Sequence, residues 1–413
     1  MSRPSVASRS QLHIIAPTHN YPAVPILFFN SKYCSEEERL AASQITYAGE
    51  SLAFSSSFIY LGIVYTDDKP ISNAIVKNLT KAKQAAQLML RRCHSMDIGN
   101  VYIKCKLFDS LVKPILCYGC ELWSPYILAK GRTFHGIDGA AEVWHRCILR
   151  QMVGVRHSVS TSILMNELGR QPICISWIKQ SLNFWNKICS RSDDDIVKIA
   201  MKESLSMATS SRCGWAFNFN KLLRNIGHAP MHQMAKIGIR ASVQIALENW
   251  WDKLWGKLPG FECSVRDVPD RERGGWKSFV YNRWFAQDVW RPHLSFIYHL
   301  HDFKQIKAVA QFRMGVHWLN TELPALRSTP RSQRLCKCCS SQVREDEMHV
   351  LECPFYEPIR RRYWPNLPTN TCFSDADMWN LMNADSDGPF WEKLANFLLK
   401  CKKHRANLIE IPD

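Results

Sequence analysis

The run I-S-N-A-I-V-K-N-L-T-K-A-K-Q-A-A-Q-L-M-L-R-R, residues 71–92, decides the fold class. Its apolar positions Ile71, Ile75, Leu79, Ala82, Ala86 and Met89 recur at steps of three and four, the period of an amphipathic helix and not the alternation of a strand. Pro70 and Ser72 supply a start signal just before it. Away from the apolar stripe the same run carries Lys77, Lys81, Lys83, Arg91 and Arg92. These five cations are candidate phosphate contacts, and a merely solvated helix surface is the alternative fate of such charge.

Downstream, the helical pattern returns over residues 98–118 and again over 139–152, so that three helices form a small bundle. Further amphipathic helices are expected between 160 and 330, broken near 209–214, 258–260 and 269–275. Tryptophan is dense in that stretch, at positions 250, 251, 255, 276, 284 and 290. Such rings pack cores or stack on exposed bases, and composition does not separate the two roles. Upstream, residues 1–70 read as strand-rich, with β-branched and aromatic runs over 23–29 and 58–65 and turn material at Gly49-Glu50 and Ser55-Ser56-Ser57. The expected fold class is therefore mainly α with a small N-terminal β remnant.

The chain has 413 residues, enough for two to four domains, and 46% hydrophobic with 22% charged residues is a globular composition. A net charge of +16 and a pI near 9.2 favour a polyanionic partner. The charge is unevenly placed. Residues 1–70 carry five Lys/Arg against six Asp/Glu, whereas residues 71–150 carry twelve against five. The sixteen cysteines sit mostly singly inside apolar runs, which reads as reduced intracellular thiols and not as a disulfide scaffold. No secretory apolar region stands at the N-terminus, and the most apolar span, 107–128, is interrupted by Asp109, Lys113, Pro114, Glu121 and Pro125. An intracellular soluble protein with no membrane partner is expected, nucleus or cytoplasm left open.

Near the C-terminus the chain reads RLCKCCSSQVREDEMHVLECPFYEPIRRRYW, residues 334–364. Cys336, Cys339, His349 and Cys353 form C-x2-C-x9-H-x3-C, three thiolates and an imidazole that suit one closed, structural Zn2+ site. Cys338 is an alternative to Cys339. Arg360, Arg361 and Arg362 follow as candidate nucleic-acid contacts. A second C-x-x-C pair, Cys117 and Cys120, lies in an apolar stretch with no second ligand pair nearby, which reads as packing.

In order along the chain these features resemble the C-terminal part of a non-LTR (LINE-type) retrotransposon reverse transcriptase. Phe58 to Ile63 looks like the hairpin closing the palm, LFDSLVKPILCYGCELW (107–123) like the thumb, and NELGRQPI (166–173) like the segment after it. FRMGVHWLNTE (312–322) then leads into Cys-x-x-Cys, and Asp346-Glu347-Met348-His349, Cys353-Pro354 and residues 356–360 resemble the C-terminal zinc knuckle. The knuckle departs in having three residues between His349 and Cys353 where the family often has four. The resemblance implies a palm-end β remnant over 1–70, a thumb-like helical bundle over 71–170, a helical connector over 171–330, a CCHC knuckle over 331–365 and a helical tail over 366–413.

The family's activity is RNA-directed DNA polymerisation, but its catalytic carboxylates are missing here. Tyr65-Thr66-Asp67-Asp68 has the Y-x-D-D form of a metal-holding polymerase motif, yet it follows the hairpin that it should precede. No catalytic residue is therefore expected and no Mg2+. The chain stops at Pro412-Asp413, short of the acidic residues of the endonuclease some LINE families carry, and reads as a truncated transposable-element product. The leading expectation is a non-catalytic fragment binding RNA or DNA with little sequence preference. Alternatives are a subunit acting in trans with a complete reverse transcriptase, a protein-interaction module using the Trp-rich helices of 245–320, or a translated pseudogene without selected function.

Overall fold

The computed structural model describes residues 72–129, 139–210, 214–255, 276–285, 295–326, 328–365, 372–383 and 388–407, with short strand pieces among the first 66. The described chain is mostly helical, as the periodicity implies. The strand pieces pair as three antiparallel ribbons: β1 (Leu12–His13) with β2 (Leu27–Phe28), β3 (Thr46–Tyr47) with β4 (Glu50–Ser51), and β5 (Ser57–Tyr60) with β6 (Ile63–Thr66). In the last, Phe58 faces Tyr65 and Ile59 faces Val64. Gly62 turns this hairpin at φ +80°, a conformation that a side chain would strain. Asp67 and Asp68 lie outside the described residues, as do the expected breaks at 258–260 and 269–275.

Helix α1 (Ser72–Ser95) is the run of residues 71–92 realised. Ala74, Leu79, Ala82, Ala86, Met89 and Cys93 are buried along one face, each turn of the helix bringing the stripe back to the same side. Residues 98–118 do not form one helix. They divide into α2 (Val101–Leu107), a π turn at Phe108–Val112 and α3 (Lys113–Leu116). Pro114 has no amide hydrogen to continue the ladder, and the widened turn just before it absorbs the mismatch. Phe108 and Val112 are fully buried there.

After α4 (Cys120–Leu128) come α5 (Ala140–Val153), α6 (Thr161–Glu167), α7 (Ile173–Cys189), α8 (Ile196–Ser210), α9 (Gly214–Asn225) and α10 (Ile239–Trp255). The C-terminal part adds α11 (Trp276–Trp284), α12 (Phe296–His299), α13 (Phe303–Arg313), α14 (Glu347–Glu352), α15 (Glu357–Tyr363), α16 (Asp375–Asn383) and α17 (Gly388–Ala406). No described helix is long and apolar enough to cross a membrane.

The chain folds into two compact units, each assembled from three segments. The first comprises Met1–Ala85, Val112–Ala141 and Ile173–Ala246; the second comprises Ala86–Leu111, Glu142–Pro172 and Leu247–Asp413. In the first, α4 and α7 pack through Trp123 edge-on to Trp177 at 5.0 Å, and Trp185, Trp215 and Phe219 stack together. Such aromatic pairs add to the area they bury. In the second, Phe296 of α12 meets Trp391 of α17, and Asn100 caps α2 while donating to the Leu300 carbonyl at 2.9 Å.

Candidate metal centre

The Cys/His segment is built from the backbone outward. Leu335 and Arg344 pair as an antiparallel bridge, Cys336 N–H donates to the Val343 carbonyl at 2.8 Å, and Glu345 N–H donates to the Arg334 carbonyl at 3.0 Å. This closes residues 337–342 into a tight loop, with Gln342 at φ +51°. Asp346 then caps α14, its carboxylate accepting the His349 amide at 2.9 Å. Cys353 follows His349 by one turn and donates its amide to the His349 carbonyl at 2.7 Å, so the two side chains share a face.

The ligand atoms of Cys336, Cys339, His349 and Cys353 all lie within 4.8 Å of one another. Cys336 Sγ is 4.0 Å from Cys353 Sγ, and Cys339 Sγ is 3.4 Å from His349 Nε2. A tetrahedral ion with bonds of about 2.3 Å to sulfur and 2.05 Å to nitrogen sets these separations at about 3.8 and 3.6 Å. The cluster can hold a metal ion. Cys336, His349 and Cys353 are buried, while Cys339 is half-buried at the rim.

The thiols are not equivalent. Cys339 is brought down to about 7: burial raises it, but the hydroxyl and amide of Ser341 and the His349 ring outweigh that. Hydrogen bonding with Cys338 is the largest single influence on Cys336 and lowers it, but the hydrogen bond to Cys353 and burial together outweigh that and push it up to about 12. Cys338 is pushed up by its contact with Cys336 and then by burial. Its sulfur sits 3.7 Å from the Tyr356 hydroxyl, and its amide donates to Cys336 Sγ at 3.4 Å. Cys338 does group with Cys336 and Glu345, but Glu345 is held by Arg405 at 2.9 and 2.8 Å and by the Asn320 amide. The C-x-x-C pairing through Cys339 is the one that the geometry favours.

Arg360 corrects the expectation that all of Arg360 to Arg362 face solvent and nucleic acid. Its side chain is buried and Nη1 donates to the carbonyls of Leu351 and Cys353 at 2.7 and 3.3 Å. Those are carbonyls at the C-terminus of α14, which have no partner within the helix. Arg361 is exposed and pairs with Glu357 at 2.6 Å, and Arg362 is exposed.

On α1, Lys81, Lys83, Arg91 and Arg92 are exposed and Lys77 is half-buried. At about 100° per residue, Lys77, Lys81, Arg91 and Arg92 fall within an arc of about 100°. Lys83 stands about 130° from the centre of that arc. Leu88 lies exposed among the four. The helix contains no Asp or Glu.

The structure decides between the two roles open to two of the tryptophans, agrees with the packing role of Cys117 and Cys120, and holds a buried ion pair that the sequence did not suggest. Trp250 and Trp284 are buried, which takes them out of base stacking. Cys117 and Cys120 are buried, and Cys120 Sγ donates to Gln180 Oε1 at 2.8 Å; burial pushes the Cys120 thiol up, as a packed cysteine requires. Periodicity passed over Glu167, which accepts from Arg313 Nε and Nη2 at 3.0 and 2.8 Å and from the Tyr281 hydroxyl at 2.7 Å, all inside the second unit. The sequence offers only a weak signal, one acidic residue in NELGRQPI and one arginine in the apolar run FRMGVHW. No family model, curated protein or solved structure matches this chain.

Proposed function

We propose that this chain is a non-catalytic nucleic-acid-binding fragment of a non-LTR retrotransposon reverse transcriptase, with one structural Zn2+ in its C-terminal knuckle. The observation that carries the reading is α1. Its 24 residues hold five Lys and Arg and no carboxylate, whereas a helix surface that is only solvated usually mixes the two signs and stitches them into pairs. Lys77 to Arg92 span about 22 Å of helix at 1.5 Å per residue, long enough to follow several phosphates of one strand. Contacts of this kind fix position and give affinity with little sequence preference.

Zinc is favoured by the donor set. Three sulfurs and one imidazole in tetrahedral spacing suit a borderline-soft ion and disfavour Mg2+ or Ca2+, which require oxygen. Cys336, Cys339, His349 and Cys353 would hold it, closing a site with no open position, and its role is to fix the fold of residues 334–356. Arg361 and Arg362 remain available for a single strand, since the exposed Arg361–Glu357 pair is weak enough to exchange. The decisive test is binding of labelled RNA and DNA at about 50 mM salt, where counterion release strongly favours contact. Affinity for either supports the reading, and none for both overturns it.

A further inference from the structure

The second unit contains a cleft of about 550 Å³ that neither α1 nor the Cys/His centre uses. Its size falls in the range of small-ligand sites. Four cations line it, Arg156, Lys277, Arg331 and Arg334, against one carboxylate, Glu322, so the lining residues carry a surplus of three positive charges. Ser158 and Ser160 also line it, the Ser160 hydroxyl sharing a hydrogen bond with Ser162 at 2.8 Å. Cations converging in a concavity repel one another unless an anion joins them.

Three of the four are held in place without a ligand. Glu322 takes Lys277 Nζ at 2.8 Å and Arg331 Nη1 at 2.6 Å. Burial raises its carboxyl, but these two partners outweigh that and hold it below the ordinary range. Lys277 also donates to the Gly315 carbonyl at 2.6 Å, Arg334 donates from Nε to the Thr329 carbonyl at 3.0 Å, and Arg331 lies over the Trp276 ring at 4.7 Å. Backbone carbonyls and an aromatic face orient these groups without cancelling their charge. Arg156 is different: it is exposed on the loop between α5 and α6 and forms no ion pair among the described residues. Fixed donors plus one exposed guanidinium outside any ion pair are a preorganised grip for a tetrahedral oxyanion.

We propose that this cleft binds a phosphoryl group, either a phosphodiester of a nucleic-acid strand or a free phosphate anion, with Arg156 as the residue that closes on it. The site is independent of the α1 stripe, so it stands or falls separately from the function proposed above. The test uses the full chain in its metal-loaded form, with sodium pyrophosphate in calorimetry and a fluorescein-labelled 20-nucleotide single strand in anisotropy. Arg156→Ala should weaken pyrophosphate binding about tenfold or more, the scale of one charge-assisted hydrogen bond. Arg156→Lys should recover part of the loss, and Ser158→Asp, which adds a negative charge to the wall, should reduce binding at least as far. Unchanged melting temperatures keep these variants interpretable.

For the strand, Arg156→Ala should reduce the slope of log K against log salt by about 0.7. Arg156-dependent binding of pyrophosphate without any strand binding would support the cleft with a free anion as ligand, while overturning a nucleic-acid strand as what it holds. Strand binding whose slope ignores Arg156, with no uptake of pyrophosphate, would overturn the cleft and leave α1 as the binding element.

Discussion

The salt dependence of nucleic-acid binding can be worked from α1 directly. Four cations share one arc, Lys77, Lys81, Arg91 and Arg92, and none has a carboxylate within the helix to neutralise it. If each releases a counterion from duplex DNA, log K should fall against log salt with a slope of about −3.6. Between about 50 and 200 mM salt the affinity then drops about 150-fold. Lys81→Ala should bring the slope to about −2.7 and Lys81→Glu should weaken binding further, whereas Lys83→Ala, on the far flank, should leave the slope unchanged. The assay is fluorescence anisotropy with a labelled 20-base-pair duplex titrated at several KCl concentrations. Equal slopes for wild type, Lys81→Ala and Arg91→Ala would refute the reasoning, and so would a Lys83→Ala effect as large as that of Lys81→Ala.

Four further outcomes can be measured. Metal analysis should find one equivalent of zinc, lost in Cys353→Ser and Cys339→Ser but kept in Cys338→Ser; retention in Cys339→Ser with loss in Cys338→Ser would reverse the ligand assignment. Arg360→Ala should destabilise the chain by about 1.5–3 kcal/mol, since it strips charged hydrogen bonds from two carbonyls, and leave the salt slope alone, while Arg362→Ala should leave stability alone and reduce the slope measured with a single strand. Arg313→Met leaves buried Glu167 without its charge partner and should cost about 3–5 kcal/mol in urea unfolding; a loss under 1 kcal/mol would show that the Tyr281 hydroxyl suffices for it. Glu322 has a depressed carboxyl, so its contribution is complete above the ordinary glutamate value of about 4.3 and is lost as pH falls through the lower folded value. The stability gap between wild type and Glu322→Gln should therefore be constant from pH 7 to about 5 and close below about 4, and a gap that persists at acid pH would contradict the ion-pair account.

The course of α1 and the grouping of four ligands were legible because both depend on local spacing. A period of 3.6 fixes which side of a helix faces inward, and a C-x-x-C turn with a His and Cys one helical turn apart nearly fixes a tetrahedron. Arg360 was not legible. Three consecutive arginines read as surface, yet successive helical residues point about 100° apart, and the one aimed at α14 found two carbonyls to satisfy. Glu167 and Arg313 are 146 positions apart, beyond any window of periodicity. The division of residues 98–118 has a more local cause: apolar spacing runs straight through Pro114, whereas the helix ladder, which needs an amide hydrogen there, does not.

Two of the segments that carry the reverse-transcriptase resemblance, NELGRQPI and FRMGVHWLNTE, hold their charged side chains in ion pairs in this fold. NELGRQPI contributes Glu167 and Arg170, the latter bound to Asp109 through two contacts of 2.6 Å. FRMGVHWLNTE contributes Arg313 to Glu167, His317 to Glu347 at 2.8 Å, and the Asn320 amide to Glu345, which Arg405 also holds. Most of these groups are buried, so each depends on its partner far more than a surface pair does. Glu345 and Glu347 flank Asp346, the cap that presents His349. FRMGVHWLNTE is therefore part of the frame of the metal centre, and the charged side chains of both segments are already engaged. On the function proposed here, contact with a polyanion is left to residues outside them, Lys81 and Arg91 on α1 and Arg156 at the cleft, whose surroundings demand only charge and reach. Substitutions should accordingly separate into two classes: motif variants that lose stability or metal at an unchanged salt slope, and exposed-cation variants that lose slope at unchanged stability. A motif substitution such as Arg170→Met that changed the slope without moving the melting temperature would break that division.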